Sequence, residues 1–259
     1  MEKILLAIDA MNPDKNSRDF ACYLGRLTKS KITGVFLENF IELNPFEHEH
    51  RSMLIEKNIA LFKEACISEE VCTTIHHDHG LPAKALVKES RYADIIVVAS
   101  GTSFSKKNEG ALTEFIVDVL KKTECAVIIV PEPFNKIDEI VFAYDGSASS
   151  LFAIKQFTYL FPEFYNKKAT ILQVNKKGVW EDRYKHKFSE WLKDHYIHLA
   201  FEAHKEEGVN SLSDCILKKK NTFIVLGAYG RNQLSLFFNP SHADFLIKMI
   251  AQPIFVAHT

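Results

Sequence analysis

The chain repeats itself once, and that repeat constrains its fold more than any other feature. Lys3-Ile4-Leu5-Leu6-Ala7-Ile8-Asp9 returns as Glu139-Ile140-Val141-Phe142-Ala143-Tyr144-Asp145. Ala93-Asp94-Ile95-Ile96-Val97-Val98-Ala99 returns as Asn221-Thr222-Phe223-Ile224-Val225-Leu226-Gly227, and Ala126-Val127-Ile128-Ile129-Val130 as Pro253-Ile254-Phe255-Val256-Ala257. Each run is short, almost wholly apolar and rich in β-branched residues. That pattern suits parallel strands buried on both faces, since half-exposed strands alternate.

Helical periodicity fills the gaps. After Asp9, Asn16 or Ser17 can start a helix with Phe20, Leu24 and Leu27 inward; after Asp145, Ser147 and Ser149 can cap one that buries Ala153, Phe157 and Leu160. Leu54, Leu61, Phe62 and Ala65 suggest a further inward stripe, as do Tyr184, Phe188, Trp191 and Leu192 in the second half. Strands alternating with helices predict an α/β chain of two tandem doubly wound domains, each an open, mostly parallel five-stranded sheet with helices on both faces. The prolines of Pro131-Glu132-Pro133-Phe134-Asn135 interrupt any continuous element, so the domains are expected at residues 1–133 and 136–259.

The bulk numbers fit this plan and exclude others. With 259 residues, 47% hydrophobic and 20 Phe, the chain can bury two cores. A formal net charge of −1 gives no electrostatic reason to expect nucleic acid or an anionic membrane as partner. Lys106–Lys107, Lys121–Lys122 and Lys176–Lys177 are dispersed doublets, and Lys218-Lys219-Lys220 follows an apolar segment ending at Leu217; all read as solvated surface. The five cysteines are odd in number and form no CxxC, which reads as buried thiols in a reducing compartment. The apolar run at the N-terminus is too short for a signal peptide, and none approaches the ~20 residues of a membrane span, so the expected location is the cytoplasm.

In such sheets ligands bind beyond the carboxyl ends of the strands, near the switch in strand order. Asp9 and Asp145 end the first strand of each half, where a carboxylate can accept hydrogen bonds from a ribose or an adenine amine or can cap the next helix. In the second half Gly227-Ala228-Tyr229-Gly230-Arg231 follows its strand directly, and two glycines three apart let backbone N–H groups surround a phosphate. After a nine-residue gap, Pro240-Ser241-His242 precedes the helical pattern Ala243–Ile250, placing Ser241 at a helix N-terminus.

Those residues resemble the universal stress protein family, which has an Asp after its first strand, usually followed by Gly-Ser, and later G-x2-G-x9-G-[ST]. Asp145-Gly146-Ser147 matches the first element, and Gly227, Gly230 and Ser241 match three parts of the second at the family's spacing. The resemblance spans the chain as two copies and implies an adenine nucleotide alpha hydrolase-like fold. It further implies that Asp145 and Val174 contact adenosine while the glycines and Ser241 hold phosphate. The implied ligand is ATP, ADP or AMP, with magnesium.

Two departures matter. Pro240 stands for the third glycine and removes an N–H donor, and Ala243 replaces a helix-start hydroxyl. Each costs a phosphate hydrogen bond of ~1–3 kcal/mol if charge-assisted. Arg231 and His242 are the candidate replacements. The first half departs further, with Ala99 and Thr102 in the glycine positions and a short, charged segment running to Gly110 and Thr113.

Other constellations carry less. His76-His77-Asp78-His79 is metal-like, but an extended strand divides it between two faces and leaves too few convergent ligands, so it reads as exposed polar residues at a strand end. His48-Glu49-His50 reads as helix-start surface, and His195, His198 and His204 have no partner at ligand spacing. No Gx4GK[ST], GxSxG or HExxH is present, and no catalytic residue is nominated.

Three function classes follow: a nucleotide-responsive regulatory module with little or no hydrolysis, a ligand-free scaffold acting through unknown protein partners, and an adenylating enzyme. The last is disfavoured because Asp9-Ala10-Met11-Asn12 is not a glycine-rich pyrophosphate loop. The apolar runs Ala126–Val130 and Ile254–Ala257 should lie at sheet edges, and pairing of unpaired edges predicts an intrachain pseudo-dimer of the two domains.

Overall fold

The computed structural model describes residues 1–39, 45–105, 109, 112–131, 136–180, 185–205, 212, 215–216, 219–227 and 252–257. Its contacts divide the chain into two compact units, Met1–Glu132 and Pro133–Thr259.

The first unit runs β1 (Lys3–Asp9), α1 (Lys15–Thr28), β2 (Lys31–Asn39), α2 (Pro45–Ser68), β3 (Thr73–Gly80), α3 (Pro82–Ser90), β4 (Ile95–Ala99), α4 (Glu114–Lys122) and β5 (Ala126–Val130). Its strands lie in the order β3-β2-β1-β4-β5, every pair parallel. The chain leaves β1 toward β2 and returns to β4 on β1's other side, so the switch in strand order falls between β1 and β4. Right-handed crossovers put α1 and α2 on one face and α3 and α4 on the other. Accordingly α1 packs on β1 and β4, and α3 packs on β2, β3 and α4.

The second unit runs β6 (Glu139–Ala143), α5 (Ala148–Leu160), a 3₁₀ turn (Pro162–Asn166), β7 (Lys168–Asn175), α6 (Lys185–Lys193), β8 (His198–Lys205), β9 (Thr222–Gly227) and β10 (Ile254–Ala257) among the described residues. Its order, β8-β7-β6-β9-β10, is again wholly parallel and repeats that of the first unit. The expected doubly wound α/β sheets are thus the observed ones. They are buried as the unbroken apolar runs require: Ile4–Leu6, Ile95–Val98 and Ile140–Phe142 show no solvent-accessible surface.

Helix starts and faces differ from expectation in particular places. The cap of α1 is Asp14, whose carboxylate accepts from Ser17 N–H at 2.6 Å, and neither Asn16 nor Ser17 caps it. Asp14 is itself extended, as an N-cap must be, and an ionised oxygen is the better acceptor for that N–H. Ser147 caps α5 through Ser150 N–H at 3.1 Å, while Ser149 is buried inside the helix. In α2 the buried face is Ile55, Phe62 and Cys66, and Leu61 stays exposed. Apolar residues surround this helix, so periodicity offers overlapping stripes. What selects Phe62 is Gly34 on β2, where a Cβ would lie 2.7 Å from the Phe62 ring.

The cores are filled differently. Phe157 in α5 packs against Phe142, Phe161, Phe164, Phe223 and Phe255. The first unit places Phe20, Leu24 and Cys22 along the buried side of α1.

Candidate functional site

In the second unit, the sequence-nominated residues that the structure describes meet at one edge. Strands β6 and β7 pair Ala143 with Leu172, and Tyr144 N–H continues the ladder to Leu172 O at 2.9 Å, bringing Asp145 level with Val174. On the other side of β6, Phe142 pairs with Val225, so Gly227 also ends its strand beside Asp145. Asp145, Val174 and Gly227 therefore cap three neighbouring strands across the switch between β6 and β9. Gly230, Arg231, Ser241 and His242 lie outside the described residues.

Local chemistry shapes this edge. Asp145 Oδ1 accepts from Ser147 N–H at 2.9 Å, closing an Asx turn over Gly146. Gly146 sits at φ +82°, where a side chain is strained. The turn presents Ser147 as the cap of α5. Gly227 is small for a definite reason: a Cβ there would come within 2.6 Å of Ser149 backbone C and O and of Ser150 Cα. Strand β9 thus lies directly against the first turn of α5. Ser149 Oγ, buried there, has no hydrogen-bond partner among the described residues.

The same edge of the first unit is closed by its own side chains. Asp9 repeats the Asx turn, with Oδ1 accepting from Met11 N–H at 2.9 Å, and it pairs in register with Leu37, the counterpart of Val174. At the start of α4, Thr113 accepts from Ile116 N–H at 3.2 Å and donates to Thr102 O at 2.6 Å. Glu109 completes the closure: Oε1 accepts from Glu114 N–H at 2.9 Å, and Oε2 accepts from the Ser103 hydroxyl. A carboxylate of the protein therefore occupies the helix start where an anionic ligand would be held.

Several charged and polar side chains near these strand ends are engaged. Glu38, 7% exposed at the end of β2, takes Arg51 Nε on Oε2 at 2.7 Å and lies 2.9 Å from His77 Nε2 through Oε1. His76 Nδ1 lies 3.0 Å from Glu89. Two members of the histidine string thus have carboxylate neighbours, and no cluster of three or more metal-ligating side chains occurs among the described residues. Asn39 Nδ2 donates to Phe104 O, tying the end of β2 to the loop after β4. His48, Glu49 and His50 are exposed on the first turns of α2.

Lys219, expected on the surface, is largely covered and bridges Glu139 at 3.2 Å and Glu202 at 3.1 Å. Burial opposes its charge, but the hydrogen bonds to Glu202 and Glu139 outweigh this and hold its pKa above the usual lysine value. Burial likewise works against the charge of Glu139; Thr170, Lys168 and Lys219 more than compensate and hold it below the usual carboxylate value. No sequence spacing announces these groups, because Glu139, Thr170 and Glu202 come from three different strands and Lys219 from outside them.

Beside the edge, the two units differ in filling. In the second, Tyr144 stacks on Trp180 at 5.6 Å and contacts Phe188 at 5.0 Å. In the first, Ile8 holds the corresponding place, and a cavity of about 150 Å³ opens between α1 and α2, lined in part by Arg18, Asn58 and Phe62. Among the described residues, no helix is long and apolar enough to cross a membrane.

The sequence matches no protein-family model and no curated protein. Solved structures do match. A universal stress protein from Archaeoglobus fulgidus DSM 4304 aligns at TM-score 0.69 and 17% identity, covering 98% of each chain. A putative universal stress protein from Pseudomonas aeruginosa UCBPP-PA14 aligns at TM-score 0.62 and 13% identity over 100% of this chain and 93% of its own. A functionally unknown protein from Pseudomonas aeruginosa PAO1 aligns at TM-score 0.58 and 12% identity over 100% and 92%. At such identities the likeness is one of architecture, and it agrees with the repeated strand order: the chain has the fold of the universal stress proteins.

Proposed function

We propose that this protein is a cytoplasmic regulatory module of universal stress protein type, built of two such domains. In this reading the second unit binds one adenine nucleotide (ATP, ADP or AMP, with magnesium) and turns it over slowly or not at all. The observation that carries this is the convergence of Asp145, Val174 and Gly227 on the carboxyl ends of β6, β7 and β9. The side of β9 next to α5 admits nothing larger than glycine. Residues Gly230, Ser241, Arg231 and His242 would supply the phosphate contacts. The first unit is proposed to bind no nucleotide, because Glu109 and Thr113 satisfy the donors at the start of α4.

A second reading, a nucleotide-free scaffold acting through protein partners, draws on two observations. One oxygen of Asp145 already serves the turn, and packing alone accounts for Gly227. Calorimetric titration of ATP, with and without magnesium, into the wild type and Gly230→Val separates the two. Binding of one nucleotide per chain at micromolar Kd, abolished by Gly230→Val, is the expected result. An absence of heat up to millimolar ATP would leave the scaffold.

A further inference from the structure

We infer that Cys22 and Cys66 form an oxidisable thiol pair, which a peroxide converts to a disulfide tying α1 to α2 in the first unit. The two residues are 44 positions apart in sequence, yet their Sγ atoms lie 3.9 Å from one another. Both are buried, at 2% and 0% exposure, and both are free thiols. A disulfide spans about 2.04 Å, so bonding requires an approach of only about 1.9 Å, within reach of side-chain rotation.

The two sulfurs are unlike. The two sulfurs are within hydrogen-bond reach of one another, and Thr73 and the Arg18 guanidinium lie on the Cys66 side. Arg18 is itself paired with Asp19. The bond from Cys22 is the largest influence on Cys66, and despite opposing burial the thiol stays below its ordinary range. Cys22 is pushed the other way, first by its bond to Cys66 and then by burial. With Thr73 and Arg18 beside Cys66 and Glu69 acting against a thiolate at Cys22, attack by Cys66 with Cys22 resolving is the favoured order.

The cavity between α1 and α2, whose lining stops one helical turn short of the two thiols, is where the oxidant would enter. It is lined by Arg18 and Phe62, and Cys22 and Cys66 follow these residues by one helical turn on the same helices. At about 150 Å³ it holds the volume of roughly five waters, ample for hydrogen peroxide. The Cys66 thiolate attacks one peroxide oxygen and the O–O bond breaks. This yields a sulfenic acid and hydroxide, which takes up the proton released by Cys66. Cys22, losing its proton to solvent, attacks the sulfenic sulfur; the S–O bond breaks, the S–S bond forms and hydroxide leaves as water. The balance is two thiols and one hydrogen peroxide to one disulfide and two waters.

The test treats the full chain with hydrogen peroxide, blocks remaining thiols with N-ethylmaleimide in denaturant, and maps non-reduced peptides by mass spectrometry. The expected result is a Cys22–Cys66 linked peptide and loss of two of the five alkylatable thiols, both reversed by dithiothreitol. The link should persist in a Cys72→Ser background, which removes the exposed competing thiol. In Cys22→Ser the chemistry should stop at a Cys66 sulfenic acid that dimedone labels. Full alkylation of Cys22 and Cys66 after peroxide would overturn the inference. So would a link that forms no faster in the folded chain than in one unfolded by urea beforehand, since the fold would then contribute nothing.

Discussion

At the start of α4 in the first unit, Glu114 N–H is met by the carboxylate of Glu109, and Thr113 is committed both to its own helix and to Thr102. At the matching edge of the second unit, Gly227 lies against the backbone of Ser149 and Ser150, with Asp145 and Val174 on neighbouring strands. The two units share a strand order and an Asx turn after their first strand, so neither feature sets the two edges apart. The described difference lies in the Glu109 and Thr113 contacts at the start of α4 and in β9 ending in Gly227 where β4 ends in Ala99. It extends inward, where the second unit stacks Tyr144 on Trp180 while the first leaves a cavity beside Ile8 and places a thiol pair between its helices.

Both tryptophans, Trp180 and Trp191, belong to the second unit, so intrinsic tryptophan fluorescence follows that unit's unfolding. The largest expected effect is at Phe157, which is fully buried among five other phenylalanines. Phe157→Ala should remove about 3–5 kcal/mol from the tryptophan-detected denaturant transition. Phe157→Leu installs the residue that the first unit carries at the same distance from its helix cap, Leu24, and should recover part of the loss. An unmoved midpoint for Phe157→Ala would refute the aromatic core as the source of this unit's stability.

Next is the strand-end glycine. Gly227→Ala should cost about 1–3 kcal/mol, because the backbone of α5 must shift to admit a Cβ. Restoring glycine in the first unit, Ala99→Gly, should cost only about 0.5–1 kcal/mol. Equal costs would show that close packing against the helix is not what separates the two strand ends.

The smallest effect concerns pH. Glu139 titrates below its ordinary value, so its contribution is complete above the unfolded carboxylate pKa of about 4.3 and fades as pH falls through the folded value. Lys219 titrates above its ordinary value, so its share is present below the unfolded lysine pKa of about 10.4 and is lost as pH rises through the folded one. Because Glu139 is partly solvated, the acid loss should be at most about 1 kcal/mol. Lys219→Met should flatten that arm of the tryptophan-detected stability profile between pH 5 and pH 3; an unchanged slope would assign it to other carboxylates.

Much of the fold was legible because buried parallel strands write themselves as unbroken apolar runs, and here they are written twice. Ile4–Leu6 and Ile140–Phe142 need no alternation to be recognised. The candidate site was partly legible too, since Asp145 and Gly227 sit where strands must end. Where reading by period failed, the deciding partner was distant in sequence. The choice of Phe62 over Leu61 as the inward residue of α2 belongs to Gly34. The cap of α1 is the local exception, an ionised Asp14 taking the Ser17 N–H.

By itself, the sequence determined the repeat, the α/β class and the strand ends where chemistry can gather, because each depends on a local pattern of apolar and special residues. Only the tertiary structure decided that Glu109 closes the first unit's helix start and that Lys219 spans two carboxylates. It alone brought Cys22 within 3.9 Å of Cys66. Hydrogen bonds and ion pairs act over a few ångströms in space, and folding sets those distances with little regard for separation along the chain.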